Sequence, residues 1–270
     1  MPSRPRAALI EALLSGLLLA PFAHAEPASS KDSDEPPPRR DAAQSARDGT
    51  FLPMTLSARI GDQRVAAVVY GGYDSAQSQG GALTAVVEGA LYRHLAVRVG
   101  VDYLSNRPGS AAATAGVRVG ILRQERHGID LGVVALYKQQ GFTETTGELE
   151  FMVAVARRWS RFALFGNAVY GQGFLSTERD AELRIAALYS FGDRWNLGAD
   201  ARARIDLGDP PAGSRPAAAE AAFDLVAGPT ASVALGPVAL LAQAGVHALT
   251  FDAGGTSVGA IALGGVGASF

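Results

Sequence analysis

From about residue 64 onward the chain alternates apolar residues with polar or small ones, at a period of two. Between His94 and Leu104, Leu95, Val97, Val99, Val101 and Tyr103 fall on one face, while Ala96, Arg98, Gly100 and Asp102 fall on the other. That is the signature of a strand with one apolar face. It recurs along the chain. Val117, Val119 and Ile121 oppose Arg118 and Gly120; Leu131, Val133 and Tyr137 oppose Asp130, Gly132 and Lys138. Phe151, Val153 and Val155 oppose Glu148 and Glu150; Leu183, Ile185 and Tyr189 oppose Glu182, Arg184 and Ser190.

About twelve such segments can be marked, with ten or fourteen also compatible. They span 64–73, 81–91, 94–104, 112–123, 128–138, 146–157, 161–172, 180–191, 195–206, 219–234, 237–249 and 257–270. A tilted membrane strand needs about 9–11 residues, and strands of soluble domains are usually shorter. Short turns near Arg93, Glu125, Trp159, Asp193 and Gly236 alternate with longer polar or glycine-rich connections, as in outer-membrane barrels. Tyr92, Trp159, Phe162, Phe191, Trp195 and Phe270 sit at the short-turn ends; Tyr73, Tyr103, Tyr137, Tyr170 and Phe251 sit at the loop ends. The expected fold is all-β, a closed antiparallel up-and-down transmembrane barrel over residues 51–270. An even strand count puts both ends on one side, expected to be the periplasm. The alternative is a soluble barrel whose aliphatic face points inward.

The first residues read as a targeting segment. Arg4 and Arg6 precede a largely apolar run from Ala7 to Phe22, then Ala23-His24-Ala25, so cleavage is expected after Ala25. Residues 26–50 are charged and rich in proline, including Pro36, Pro37 and Pro38. Such a composition cannot offset its ordering entropy, and the segment is expected to be a disordered periplasmic tail. The chain has no cysteine, which excludes disulfides, thiolate metal sites and a cysteine nucleophile. Its formal net charge of −2 points to no nucleic-acid partner.

The chain ends Val266-Gly267-Ala268-Ser269-Phe270. A terminal Phe closing an alternating strand resembles the C-terminal signature of bacterial outer-membrane barrel proteins. That resemblance implies Phe270 as an assembly signal, the barrel assembly machinery as a partner, and outer-membrane lipid as the surroundings. It covers the mature chain in pattern, but in specific residues only this tail, where Ala268 stands in place of a frequent aromatic. Two families with twelve strands differ from it. Outer-membrane phospholipase implies a Ser–His–Asn site on the outer face, where no histidine falls. Autotransporter translocators follow a passenger, which 26–50 is expected to be too short to form.

With the aliphatic face toward lipid, the lumen is lined by Glu88, Arg98, Asp102, Arg118, Asp130, Lys138, Glu148 and Glu150. It continues through Glu182, Arg184, Asp200, Arg202, Arg204, Asp206, Asp224, Gln243 and His247. A turn at Arg93 sets Glu88 across from Arg98. Arg184, Arg202 and Arg204 could form a basic ladder; neutralisation by Glu182, Asp200 and Asp206 is favoured. A turn at Leu235-Gly236 would set Asp224 opposite His247, with Ser257 nearby. A Ser–His–Asp site needs that proximity, but no nucleophile-elbow pattern accompanies it. Scattered acidic residues give no metal site, and no cofactor is implied. A barrel of this size is too narrow for a wide pore, and no long internal loop is expected to constrict it. The favoured function is a non-enzymatic structural or scaffold component of an envelope-spanning assembly, in secretion, export or motility, with periplasmic or outer-membrane protein partners. The alternatives are a narrow porin-like channel for small solutes and a rim hydrolase built on His247.

Overall fold

A strand leaves a row of unpaired N–H and C=O groups along each edge, and in hydrocarbon these have no other partner. Closure removes the edges. The computed structural model describes residues 42–60, 65–76, 80–104, 111–140, 147–174, 178–208, 221–251 and 254–270. Twelve antiparallel strands form one closed barrel in sequence order. They are β1 (Val65–Asp74), β2 (Gly80–Tyr92), β3 (Leu95–Leu104), β4 (Ala112–Leu122), β5 (Asp130–Gln140) and β6 (Gly147–Trp159). The second half comprises β7 (Phe162–Gly173), β8 (Arg179–Phe191), β9 (Trp195–Asp206), β10 (Ala221–Leu235), β11 (Val238–Phe251) and β12 (Thr256–Ser269). Val69 of β1 pairs with Val266 of β12, and Phe270 N–H donates to Val65 C=O at 2.9 Å, closing the ring. The ladder between β10 and β11 skips from Ala227–Val246 to Thr230–Gln243, because Pro229 has no N–H to give.

The expected spans hold to within two or three residues at either end. One short connection departs from a simple turn: it contains the helix Gln124–His127, ended by Gly128 at φ 77°.

The alternation resolves as an apolar exterior. Val97, Val99, Val117 and Val119 are between 38% and 54% exposed. Leu131 and Leu183 share the parity of exposed Tyr137 and Ile185, whereas Arg118 and Asp130 on the opposite parity are buried. Tyr92, Trp159, Phe162, Phe191, Trp195 and Phe270 are exposed around the short-turn end, and Tyr73, Tyr103, Tyr137 and Tyr170 around the loop end. An apolar band of this size is unsuited to water, and the two aromatic girdles mark its edges. The dry-centre alternative, with the aliphatic face inward, does not hold.

The interior holds what the sequence did not lead one to expect. Residues 42–60 lie within the barrel. A helix, α1 (Ala42–Arg47), packs Ala42 and Ala46 with Phe51 against Ala66, Val68 and Tyr70 of β1 and Ala239 and Leu241 of β11. Ala58 joins Ala154, Ala156, Ala163, Phe165, Ala186 and Leu188, and Leu56 joins Val134, Met152 and Val169. The short helix Gln124–His127 is α2. The tail assigned to 26–50 is thus corrected from Ala42 onward: 42–50 is ordered, and 51–60 is lumenal rather than part of the wall. The expectation that nothing constricts the lumen falls with it. The prolines of 26–50 all precede residue 41, whereas Phe51, Leu52, Leu56 and Ile60 have apolar wall to bury against. The targeting segment and residues 26–41 lie outside the described residues.

Val117 sits at the centre of β4, facing out. Val117→Arg is expected to destabilise the barrel by about 2–4 kcal/mol in lipid vesicles. Urea unfolding would measure it; a loss near zero would place this face away from hydrocarbon.

Candidate functional site

The lumen and its plug form the site. The plug enters at the short-turn end, where Ala42 N–H donates to Gly236 C=O at 3.2 Å. Arg47 donates to Gly192 C=O at 2.6 Å and pairs with Asp193 at 3.0 Å. Ser45 Oγ donates to Ser269 Oγ at 3.1 Å. Gly49, at φ 72°, then turns the chain so close to Phe165 that a Cβ there would lie 2.6 Å from the ring. Tyr70 hydroxyl donates to Phe51 C=O. A residual cavity of about 10 Å³ between α1 and the wall has room for about one water.

At mid-lumen the wall supplies the polar partners the plug backbone needs. Asp200 of β9 accepts from Met54 N–H at 3.0 Å and from Thr55 Oγ1 at 2.5 Å. Asn167 of β7 accepts from Leu56 N–H at 2.7 Å and donates back to Leu56 C=O at 2.8 Å. An amide can do both; a carboxylate could only accept. The plug then returns to the short-turn end, where Arg59 pairs with Glu125 on α2. Burial works against the Glu125 charge, yet its own backbone amide and Arg59 hold its carboxyl below the ordinary range.

Arg118 is the clamp between wall and plug. It is 2% exposed, and its Nη1 donates to both Glu88 oxygens at 2.7 and 2.8 Å. Its Nη2 donates to Ser57 C=O at 2.5 Å and to Arg59 C=O. Charge-assisted contacts of this kind are the strong ones. Glu88 does lie across from Arg98 in register, but at 3.7 Å the Arg98 contact is the looser. Arg158 binds Asp48 of the plug at 2.6 Å and also Asp130 of the wall.

Toward the loop end, ion pairs run along the wall. Arg184 reaches Glu182 at 2.6 Å, Arg202 reaches Glu182 at 3.2 Å and Asp224 at 2.7 Å, and Arg204 reaches Asp180 at 2.7 Å. The arginine ladder is neutralised, though not by all the residues expected. Asp200 serves the plug instead, and Asp206 accepts from Gly208 N–H at 2.8 Å. Lys138 approaches Glu150 at 3.8 Å, and Asp102 accepts from Thr84 at 2.7 Å. Gln243 donates to Met54 Sδ at 3.6 Å.

His247 is 1% exposed, with Nδ1 2.5 Å from Asp74 and Nε2 3.0 Å from Asp224. Its partner in register is Val226, so Asp224 reaches it diagonally rather than from directly opposite. Ser257 donates to Ala76 C=O at 3.3 Å instead of approaching the ring. Both ring nitrogens are thus engaged by carboxylates, and Ser257 reaches neither of them. Among the described residues, no three His, Cys, Asp or Glu side chains group to hold a metal ion.

Sequence reasoning missed Asn167, Asp48, Asp74 and the whole plug. A signal for the plug was present. Phe151–Ala156 and Ala163–Val169 are apolar at nearly every position, as strands buried on both faces are. Asn167 is the single polar side chain within that second run.

No protein-family model matches the chain, and no curated protein matches it in sequence. Among solved structures, a NanC porin superposes with TM-score 0.58 at 10% identity, over 76% of this chain and 100% of the porin. A KdgM porin does so with TM-score 0.52 at 9% identity, over 76% and 99%. The fold is that of the bacterial outer-membrane β-barrels. At such identities the likeness extends to the fold alone.

Asp200→Ala removes the acceptor of two plug donors, each such charged hydrogen bond being worth about 1.5–3 kcal/mol. Hydrogen exchange at Met54–Leu56 is expected to accelerate while β9 stays protected; unchanged exchange would refute the anchoring role. Arg118→Ala leaves the buried Glu88 with only its looser Arg98 contact and is expected to cost about 3–5 kcal/mol in equilibrium unfolding.

Proposed function

We propose that the protein is an integral outer-membrane barrel, closed at rest by its own residues 42–60, that serves as a non-catalytic structural component of an envelope-spanning assembly. The observation that carries this reading is the plug. It is tied to the wall at both ends and at mid-lumen, through Ser45–Ser269, Asp200, Asn167 and Arg118. The paired lumenal arginines support it, since Arg118, Arg158, Arg184, Arg202 and Arg204 each already hold a carboxylate and offer a passing anion little to exchange with. The rhythm of short turns and longer loops favours a periplasmic short-turn end. The plug starts at that end, so the segment preceding it is well placed to dock a periplasmic partner. Phe270, 72% exposed on the exterior, fits the role of an assembly signal.

A second reading is a narrow channel gated by the plug. It is favoured by the half-exposed charges above the plug, where the side chains of Arg202 and Lys138 are 29% and 35% exposed. Planar-bilayer recording of the full chain separates the two. The structural reading expects no discrete openings. Since the chain lacks cysteine, Ser45→Cys with Ser269→Cys would pin α1 to β12 by a single unambiguous disulfide. Silence in both oxidised and reduced forms supports the structural role. Openings that appear only on reduction would make the protein a gated channel.

A further inference from the structure

The short-turn rim is strongly cationic. Arg93, Arg126, Arg161 and Arg194 are exposed there, on four different connections. None has a carboxylate within salt-bridge distance among the described residues. The short connections contain two acidic residues, Glu125 and Asp193. Each pairs with an arginine of the plug, Glu125 with Arg59 and Asp193 with Arg47. Among the described residues, the plug therefore pairs with the acidic groups of the short connections, and these four arginines are left without a carboxylate partner.

These arginines stand beside the aromatic girdle. Arg93 follows Tyr92, Arg161 precedes Phe162, and Arg194 precedes Trp195, all exposed. Arg157 lies over the Trp159 ring at 4.8 Å, placing a further guanidinium at the level of the indole. Interfacial aromatics settle at headgroup depth. A guanidinium one residue away then reaches the phosphate layer, and its planar fork matches a phosphate in two hydrogen bonds.

We propose that this rim is a binding belt for anionic phospholipid headgroups of the adjoining leaflet. The proposal rests on the membrane reading above. A zwitterionic headgroup carries its own cation beside the phosphate, so a cluster of uncompensated arginines selects the lipid with net negative charge. The plug is part of the device, because Arg47 and Arg59 pair with the carboxylates that would otherwise compete.

The chain contains two tryptophans, Trp159 and Trp195, and both lie at this rim. Their fluorescence therefore reports the lipid in contact with the belt. The full chain would be folded into phosphatidylcholine vesicles doped with brominated phosphatidylglycerol or with brominated phosphatidylcholine. Brominated phosphatidylglycerol is expected to quench at a several-fold lower mole fraction. High salt should collapse the difference, as should the combined variant R93Q, R126Q, R161Q and R194Q, with quenching by brominated phosphatidylcholine unchanged in both. Equal quenching by the two lipids, or a preference that survives in the variant, overturns the belt. A rim with no lipid preference that instead retains soluble polyglutamate overturns it in favour of an acidic protein partner. Absence of quenching by either lipid overturns the membrane reading itself.

Discussion

Closure of the backbone ladder is the constraint on which everything else depends. In hydrocarbon an unpaired peptide group costs several kcal/mol, so a sheet of this kind must end on itself. The pairing of β1 with β12 completes that ring. Once closed, the sheet has only two surfaces, and the period-two alternation divides its side chains between them. Apolar residues go outward and the charged residues share a confined interior. Even Pro229, which removes one donor from β10, is tolerated because the ladder resumes in unchanged register on either side.

Confinement then sets the electrostatics. Charges withdrawn from bulk water need partners, and a removed partner is costly. The barrel answers this in two ways. Toward the loop end, wall residues pair with each other, Arg184 with Glu182 along β8 and Arg202 across to Glu182 and Asp224 on the neighbouring strands. Toward the short-turn end, the plug supplies carbonyls, amides and the Asp48 carboxylate, and Arg118, Asp200 and Arg158 close on them. The plug is therefore less an obstruction added to a finished barrel than the lower half of its interior. The same segment governs the outer rim, because Arg47 and Arg59 engage the acidic residues of two turns.

Much of this was legible from residue order. Strand periodicity is local, so spans, parity and the rhythm of connections follow from neighbours two apart. The Glu88–Arg98 pairing was also legible from a turn centred on Arg93, and the ladder reaches that register through a one-residue shift between Ala90 and Tyr92. The pairing of Asp224 with His247 was legible only in part, because side-chain reach over a diagonal replaced the direct register. Arg118 as the partner of Glu88 was not legible: a whole strand separates β2 from β4, and only the curvature of the wall brings them together.

The sequence by itself determined the class of fold, the face of each strand that meets the surroundings and the even count that returns both barrel ends to one side. Those depend on alternation and turn length, which are properties of adjacent residues. Tertiary structure alone decided that 42–60 is ordered. Its apolar residues are too few to form a core of their own. They become buried only because β1, β5, β6, β7, β8 and β11 present inward apolar positions to them. That surface does not exist until the ring has closed.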